Sequence, residues 1–192
     1  MAHDAPEDAV RALIAYLGEN AHRPGLAETP ARVIKAWRAM TSGYHAEVTE
    51  FMKTFEDGAE NCDGMVFQGS IPVWSTCEHH MLPFFGVAHI GYLPQGRILG
   101  LSKFARVVDV FARRLSVQER ITNQVADALA EHLKPLGVGV VLQCRHTCME
   151  ARGVKTAGSI TTTQALRGDI KDHTGARDEF LSLVRTASER HW

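Results

Sequence analysis

The stretch from Phe85 to Leu93 alternates, and this constrains the fold more than any other feature of the sequence. Val87, His89, Gly91 and Leu93 fall on one side of an extended chain, and Ala88, Ile90 and Tyr92 on the other. A period of two sustained this long predicts a strand in a sheet with two distinct faces. Pro94-Gln95-Gly96-Arg97 is turn chemistry, and Ile98-Leu99-Gly100-Leu101 resumes a strand. Met65-Val66-Phe67 and Val73-Trp74 read as two short strands upstream. Two helices follow. Ser102 is placed to cap one that runs to about Arg114. Ser116 caps a second, and Glu119 three residues on completes a capping box. That helix ends near Leu133, before Pro135 and Gly137. Val138 to Cys148 is again a strand, as is the Thr-rich stretch Ser159 to Leu166, and Phe180, Leu183 and Val184 mark a last helix. The order strand, strand, helix, helix, strand, strand predicts an α+β fold, an antiparallel sheet of four strands with helices on one face.

Ahead of this body the pattern is helical. Val10, Leu13, Ile14 and Leu17 form an amphipathic stripe that Gly18 and the segment Asn20 to Gly25 interrupt. Thr29-Pro30 reads as an N-cap followed by Pro at the first helical position, and Val33, Trp37 and Met40 supply the buried face before Ser42-Gly43 stops it. Residues 1–60 are expected to form an N-terminal helical segment and residues 61–192 the domain that carries the chemistry. A four-stranded open sheet has two edges, and edges are a liability unless paired or covered. Subunits are therefore expected to join edge to edge.

Charge narrows the function. The chain holds 21 Lys+Arg against 22 Asp+Glu, a net charge of −1, which excludes a globally basic nucleic-acid binder. No apolar run reaches membrane-spanning length, so no membrane partner is expected. The first eight residues show neither a basic start nor an apolar stretch, and a cytoplasmic location is expected. In that compartment 4 cysteines point to metal binding or reactivity before disulfides, and 10 histidines point the same way.

The densest cluster of such residues is Cys77-Glu78-His79-His80. Zinc favours thiolate and imidazole, and Cys77 and His80, three apart, can be aimed at one ion by a single turn. His79 then points elsewhere. A third ligand must come from afar, and on an extended strand Cys144, His146 and Cys148 share one face. Cys77, His80 and Cys148 with one position open would be a catalytic arrangement. Cys77, His80, Cys144 and Cys148 would be a closed structural one. Strand geometry disfavours the second, because Cys144 and Cys148 lie about 13 Å apart at roughly 3.3 Å per residue. A reading of buried thiols and core histidines also remains open, and Cys62 has no visible partner.

Five segments together resemble GTP cyclohydrolase I. They are Trp74-Ser75-Thr76-Cys77-Glu78-His79-His80, Gly100-Leu101-Ser102-Lys103-Phe104-Ala105-Arg106, Ser116-Val117-Gln118-Glu119-Arg120, His146-Thr147-Cys148-Met149-Glu150-Ala151-Arg152-Gly153 and the leading Arg23-Pro24-Gly25-Leu26-Ala27-Glu28-Thr29-Pro30-Ala31-Arg32-Val33. The resemblance implies a tunnelling fold and GTP as substrate. Water opens the imidazole ring at carbon 8, formate leaves, and dihydroneopterin triphosphate is built. It also implies a homodecamer of two stacked pentamers joined through sheet edges.

The same resemblance implies roles. Cys77, His80 and Cys148 would hold Zn2+, which lowers the pKa of water. His79 matches a residue that protonates ring nitrogen 7, and His146 one that assists ring opening and later proton transfers. Glu119 and Gln118 are expected at the guanine, although the capping box also offers Glu119 a structural role. Lys103, Arg106 and Arg152 are expected on the triphosphate, with Ser102 near the ribose or its rearrangement; a solvated helix face is the plainer reading of the first two. Glu150 would add negative charge near the phosphate site. His89 and Arg120 have weak claims, and His22, His45, His132, His173 and His191 read as surface residues. Two other classes stay open. One is a non-catalytic oligomer stabilised by a closed zinc site, and the other is a tunnelling-fold deazaguanine nitrile reductase.

Overall fold

The computed structural model describes residues 6–59 and 62–189; His191 lies outside them. Contacts divide the chain into two compact units, Met1–Ser42 and Gly43–Trp192. The first holds α1 (Pro6–Tyr16) and α2 (Thr29–Met40). Glu28 occupies the cap of α2, one residue earlier than expected, with Thr29 and Pro30 inside the first turn. Proline fits there because that turn's N–H groups have no intrahelical acceptor.

The second unit carries β1 (Thr54–Phe55), β2 (Val66–Cys77), β3 (Pro83–Leu93), β4 (Ile98–Leu99), α3 (Leu101–Ala112), β5 (Leu115–Ser116), α4 (Gln118–Leu133), β6 (Gly137–His146), α5 (Thr147–Glu150), β7 (Ile160–Gly168), α6 (Asp169–Asp172) and α7 (Thr174–Ser188). β1 pairs with β4, while Phe51 and Met52 pack on the core, so residues 43–59 belong to this unit. The main sheet has the order β5-β2-β3-β6-β7. Its four long strands are antiparallel, and two-residue β5 adds in parallel at the end of β2. The α+β architecture follows the expected element order.

The alternation in β3 sorts as its sequence requires. Ala88, Ile90 and Tyr92 are buried with Ile71, Val73, Val138, Val140 and Leu142 under α3 and α4. Phe104, Val107 and Val108 line α3 there, and Ile121, Val125 and Leu129 line α4. α7 covers part of the opposite face, where Phe180 and Val184 pack on Val141. Gly91 and Gly139, paired across β3 and β6, make this possible. A Cβ on either would come within 2.8 and 2.7 Å of the Phe180 ring respectively. Among the described residues no helix is long and apolar enough to cross a membrane.

Four local expectations are corrected. The two short upstream strands are one, β2, with a bulge between Gln68 and Ile71. Ser70 has φ 60 there, so the extra residue breaks the period of two that the sequence shows. α3 takes Gly100 as its cap, and Ser102 sits within its first turn. α4 takes Val117 as its cap without a side-chain hydrogen bond, so the Ser116–Glu119 capping box does not form. Ser116 is instead recruited into β5 beside Cys77, and its hydroxyl donates to the Val117 carbonyl. Finally, β6 ends at His146, because β3 begins at Pro83 and Phe84–His146 is the last pair. Cys148 therefore lies in α5, off the strand, and shares no strand face with Cys144 and His146.

Candidate active site

β2 delivers Cys77, buried, at its last position. The chain then turns sharply, with Met81 at φ 55. The Met81 N–H donates to the Cys77 carbonyl (2.8 Å) and the Cys77 N–H to the Leu82 carbonyl (2.9 Å). This turn brings His80 Nδ1 to 3.9 Å from Cys77 Sγ. α5 is anchored by Thr147, whose hydroxyl donates to the Pro83 carbonyl at 2.6 Å, and it presents Cys148. One donor atom from each of Cys77, His80 and Cys148 lies within 4.8 Å of the others. A tetrahedral zinc holds such atoms about 3.5–3.8 Å apart, so the donor set and its spacing fit that ion after a contraction of about 1 Å.

The electrostatics favour a cation there. Burial first, then the neighbouring Cys77 sulfur, pushes the Cys148 thiol upward, and a cation between two sulfurs reverses that pressure. Cys144 is different. It stays in the ladder, paired with Gly86 and Thr161, and burial pushes its thiol up to about 12. It does not join the group, so the closed four-ligand arrangement is not assembled.

A second group surrounds His146. Its ring stacks on Phe84, with centroids 4.7 Å apart and planes at 11°, and its Nε2 lies 2.8 Å from Gln118 Oε1. Burial lowers the His146 pKa, while the carboxylates of Glu119 and Glu150 act the other way. Gln118, expected at the guanine, is buried at the start of α4. Its amide nitrogen contacts the Leu142 carbonyl (3.0 Å), the Thr161 carbonyl (2.9 Å) and Thr163 Oγ1 (3.0 Å). Glu119, released from any capping box, presents an exposed carboxylate beside it.

The remaining candidates fall into two sets. Arg152 is exposed and its guanidinium donates to His80 Nε2 at 2.9 Å, so the structure brings it to the thiol–imidazole group. Ser102, Lys103 and Arg106 lie on the first turns of α3, with Arg106 over the Phe51 ring at 5.8 Å. Among the described residues these three share no hydrogen bond or ion pair with the two groups above. Glu150 is paired with Arg145 at 2.9 and 2.6 Å, which holds its carboxyl below the usual range. Its negative charge is therefore kept and faces the Arg145 guanidinium.

The feature least visible beforehand is the pairing of Glu78 with Arg120. Both terminal guanidinium nitrogens of Arg120, Nη1 and Nη2, donate to the Glu78 carboxylate, and the hydrogen bond from Arg120 keeps that carboxyl below its ordinary pKa. The Glu78 N–H also donates to the Ser116 carbonyl at 3.1 Å. The turn carrying Cys77, His79 and His80 is thus tied to the start of α4. His79 itself is exposed, with Nε2 3.9 Å from Glu78. Opposite charges separated by 42 positions leave no periodic signal, although Glu78 sits inside the most distinctive motif.

Comparison with known proteins adds a consistent set of relatives. The family described as GTP cyclohydrolase I matches residues 6–185. GTP cyclohydrolase 1 of Janthinobacterium sp. (strain Marseille) is 57% identical over 175 residues, covering 91% of this chain and 88% of that protein. The protein of the same name from Nitrosospira multiformis is 53% identical, covering 91% of each chain. That of Corynebacterium aurimucosum is 48% identical over 187 residues, covering 96% of this chain and 94% of that one.

Proposed function

This chain belongs to the GTP cyclohydrolase I family, and from that membership we propose that it converts GTP and water into formate and 7,8-dihydroneopterin triphosphate. The observation that carries the site assignment is the convergence of Cys77, His80 and Cys148 within 4.8 Å. These residues would hold zinc, which when bound supplies the Lewis acidity that makes water a nucleophile near neutral pH. Two thiolates temper that acidity by offsetting the ion's charge. The protein must therefore supply protons to the purine as its ring opens.

His79 and His146 supply them. His79, exposed beside the ligand turn, donates to ring nitrogen 7, which makes carbon 8 more electrophilic. His146 moves protons as the ring opens and the ribose rearranges, with Ser102 assisting at the ribose. Glu119 accepts two N–H bonds from the edge of guanine, and adenine cannot offer that pair. Arg152, Lys103 and Arg106 take the triphosphate, helped by the positive end of the α3 dipole. Among the described residues β7 has no strand on its outer side, and subunits pair there in a ring, two rings making a decamer.

The direct test is incubation of zinc-loaded protein with GTP. Formate and a pterin that fluoresces after oxidation should accumulate in equal amounts. No formate from protein with full zinc content would end the proposal. Light scattering tests the assembly separately, and a monomeric mass at micromolar concentration would remove it.

A further inference from the structure

We propose that Gln118 is a positioning residue that locks the neutral His146 ring in the tautomer carrying its proton on Nε2, so that His146 exchanges protons with substrate through Nδ1. The role of His146 rests on the cyclohydrolase reading above; the tautomer follows from hydrogen-bond polarity alone. The carbonyl oxygens of Leu142 and Thr161 can only accept. They lie 3.0 and 2.9 Å from one end of the Gln118 amide, so that end is the NH2 group. The other end is then an oxygen, which also only accepts, and it lies 2.8 Å from His146 Nε2. The ring nitrogen there must carry the hydrogen.

The neighbouring hydroxyls agree with that direction. Thr122 Oγ1 donates to the backbone carbonyl of Gln118 at 2.8 Å, so it receives its own hydrogen bond from Thr163 Oγ1 at 2.7 Å. Thr163 Oγ1 is then left to accept at 3.0 Å, sharing one of the two Gln118 amide hydrogens with a strand carbonyl. Every donor in the circuit points one way. Gln118 is 1% exposed and Thr122 0%, so the amide at the centre of these contacts is itself buried. The stack on Phe84 fixes the plane of the imidazole ring. Both amide hydrogens of Gln118 are committed to β6 and β7, which leaves no donor for a purine. Recognition of the base therefore falls to Glu119, and Gln118 acts on the reaction through His146.

Solid-state NMR of the zinc-loaded full chain, with isotope-labelled histidine rings, reads the tautomer, and the His146 signals are identified by their loss in His146→Gln. The neutral ring should be protonated on Nε2 in the unsubstituted protein. Gln118→Met should give a mixture of tautomers and lower kcat by about 10–100-fold. Its KM for GTP should stay within roughly threefold, as expected when ground-state binding is untouched. A ring protonated on Nδ1 in the unsubstituted protein would overturn the proposal, whether or not Gln118→Met folds. So would a Gln118→Met protein with unchanged tautomer and kcat, or one in which KM rises and kcat does not. Failure of the unsubstituted protein to consume GTP would count against the cyclohydrolase reading and leave the tautomer result standing.

Discussion

Where β3 and β6 pair at Gly91 and Gly139, the ring of Phe180 lies directly on bare backbone. Where the same two strands pair at Phe84 and His146, the ladder stops, and thiols, imidazoles and ion pairs gather around its end. The first region is dry and held by shape. Its apolar side chains have no directional demands, and the ring fits only because two side chains are missing. The second is held by hydrogen-bond direction and charge, with Gln118, Thr147, Glu78 and Arg120 each tying one element to another. The difference teaches that one sheet can concentrate its stability at one end and its chemistry at the other. Damage to either region should then leave the other working.

The largest test of that separation removes a donor. Cys148→Ala should lose bound zinc and all turnover, measured by metal analysis and formate release. Its unfolding midpoint should match that of metal-free unsubstituted protein, since the dry region is intact. Full zinc retention would take Cys148 out of the ligand set. Next comes His146→Ala, which should keep its zinc and lose about 10²–10⁴-fold in turnover, the range for a general acid–base group. If zinc left with the imidazole, the two groups at this end could not be treated as separable.

Phe180→Ala reverses the pattern. It empties a fully buried site over Gly91 and Gly139 and should cost about 3–5 kcal/mol, read by denaturant unfolding. Below its new unfolding midpoint, zinc content and turnover should match those of the unsubstituted protein. Loss of zinc while the chain remains folded would break the comparison, because packing at one end would then be setting geometry at the other.

The two regions also differ in how far the sequence disclosed them. Alternation in Phe85–Leu93 is a local property, so the faces of β3 could be assigned residue by residue. The stop near Leu133 was equally local, and Lys134 adopts the left-handed conformation just beyond it. The pairing of Phe180 with Gly91 and Gly139 was not visible, since nothing in a strand pattern says why a glycine is there. At the site, the spacing of Cys77 and His80 pointed to one turn, and the geometry agrees. The α4 cap departs from its sequence signal because Ser116 has a second use, completing the sheet beside Cys77, that only the folded chain reveals. The bulge at Ser70 hid the continuity of β2 for the same reason, since an inserted residue resets the period that sequence reading depends on.

The smallest expected effect sharpens the comparison most. The Arg120–Glu78 pair lies on the surface, and exposed ion pairs contribute little to stability. Arg120→Met should therefore leave the unfolding midpoint unchanged. The backbone of the turn would still be held by the Cys77–Leu82, Met81–Cys77 and Glu78–Ser116 hydrogen bonds. What should change is the precision with which Cys77 and His80 are presented, seen as zinc affinity weakened by up to about tenfold in competition with a chelator. Arg120→Lys should recover only part of it, because an ammonium cannot reproduce the two-pronged contact. Added salt should weaken zinc binding in the unsubstituted protein more than in Arg120→Met, since screening acts only where the ion pair exists. A drop in midpoint with unchanged zinc affinity would place Arg120 among the groups that hold the fold, and the division between the two ends of the sheet would then run through α4.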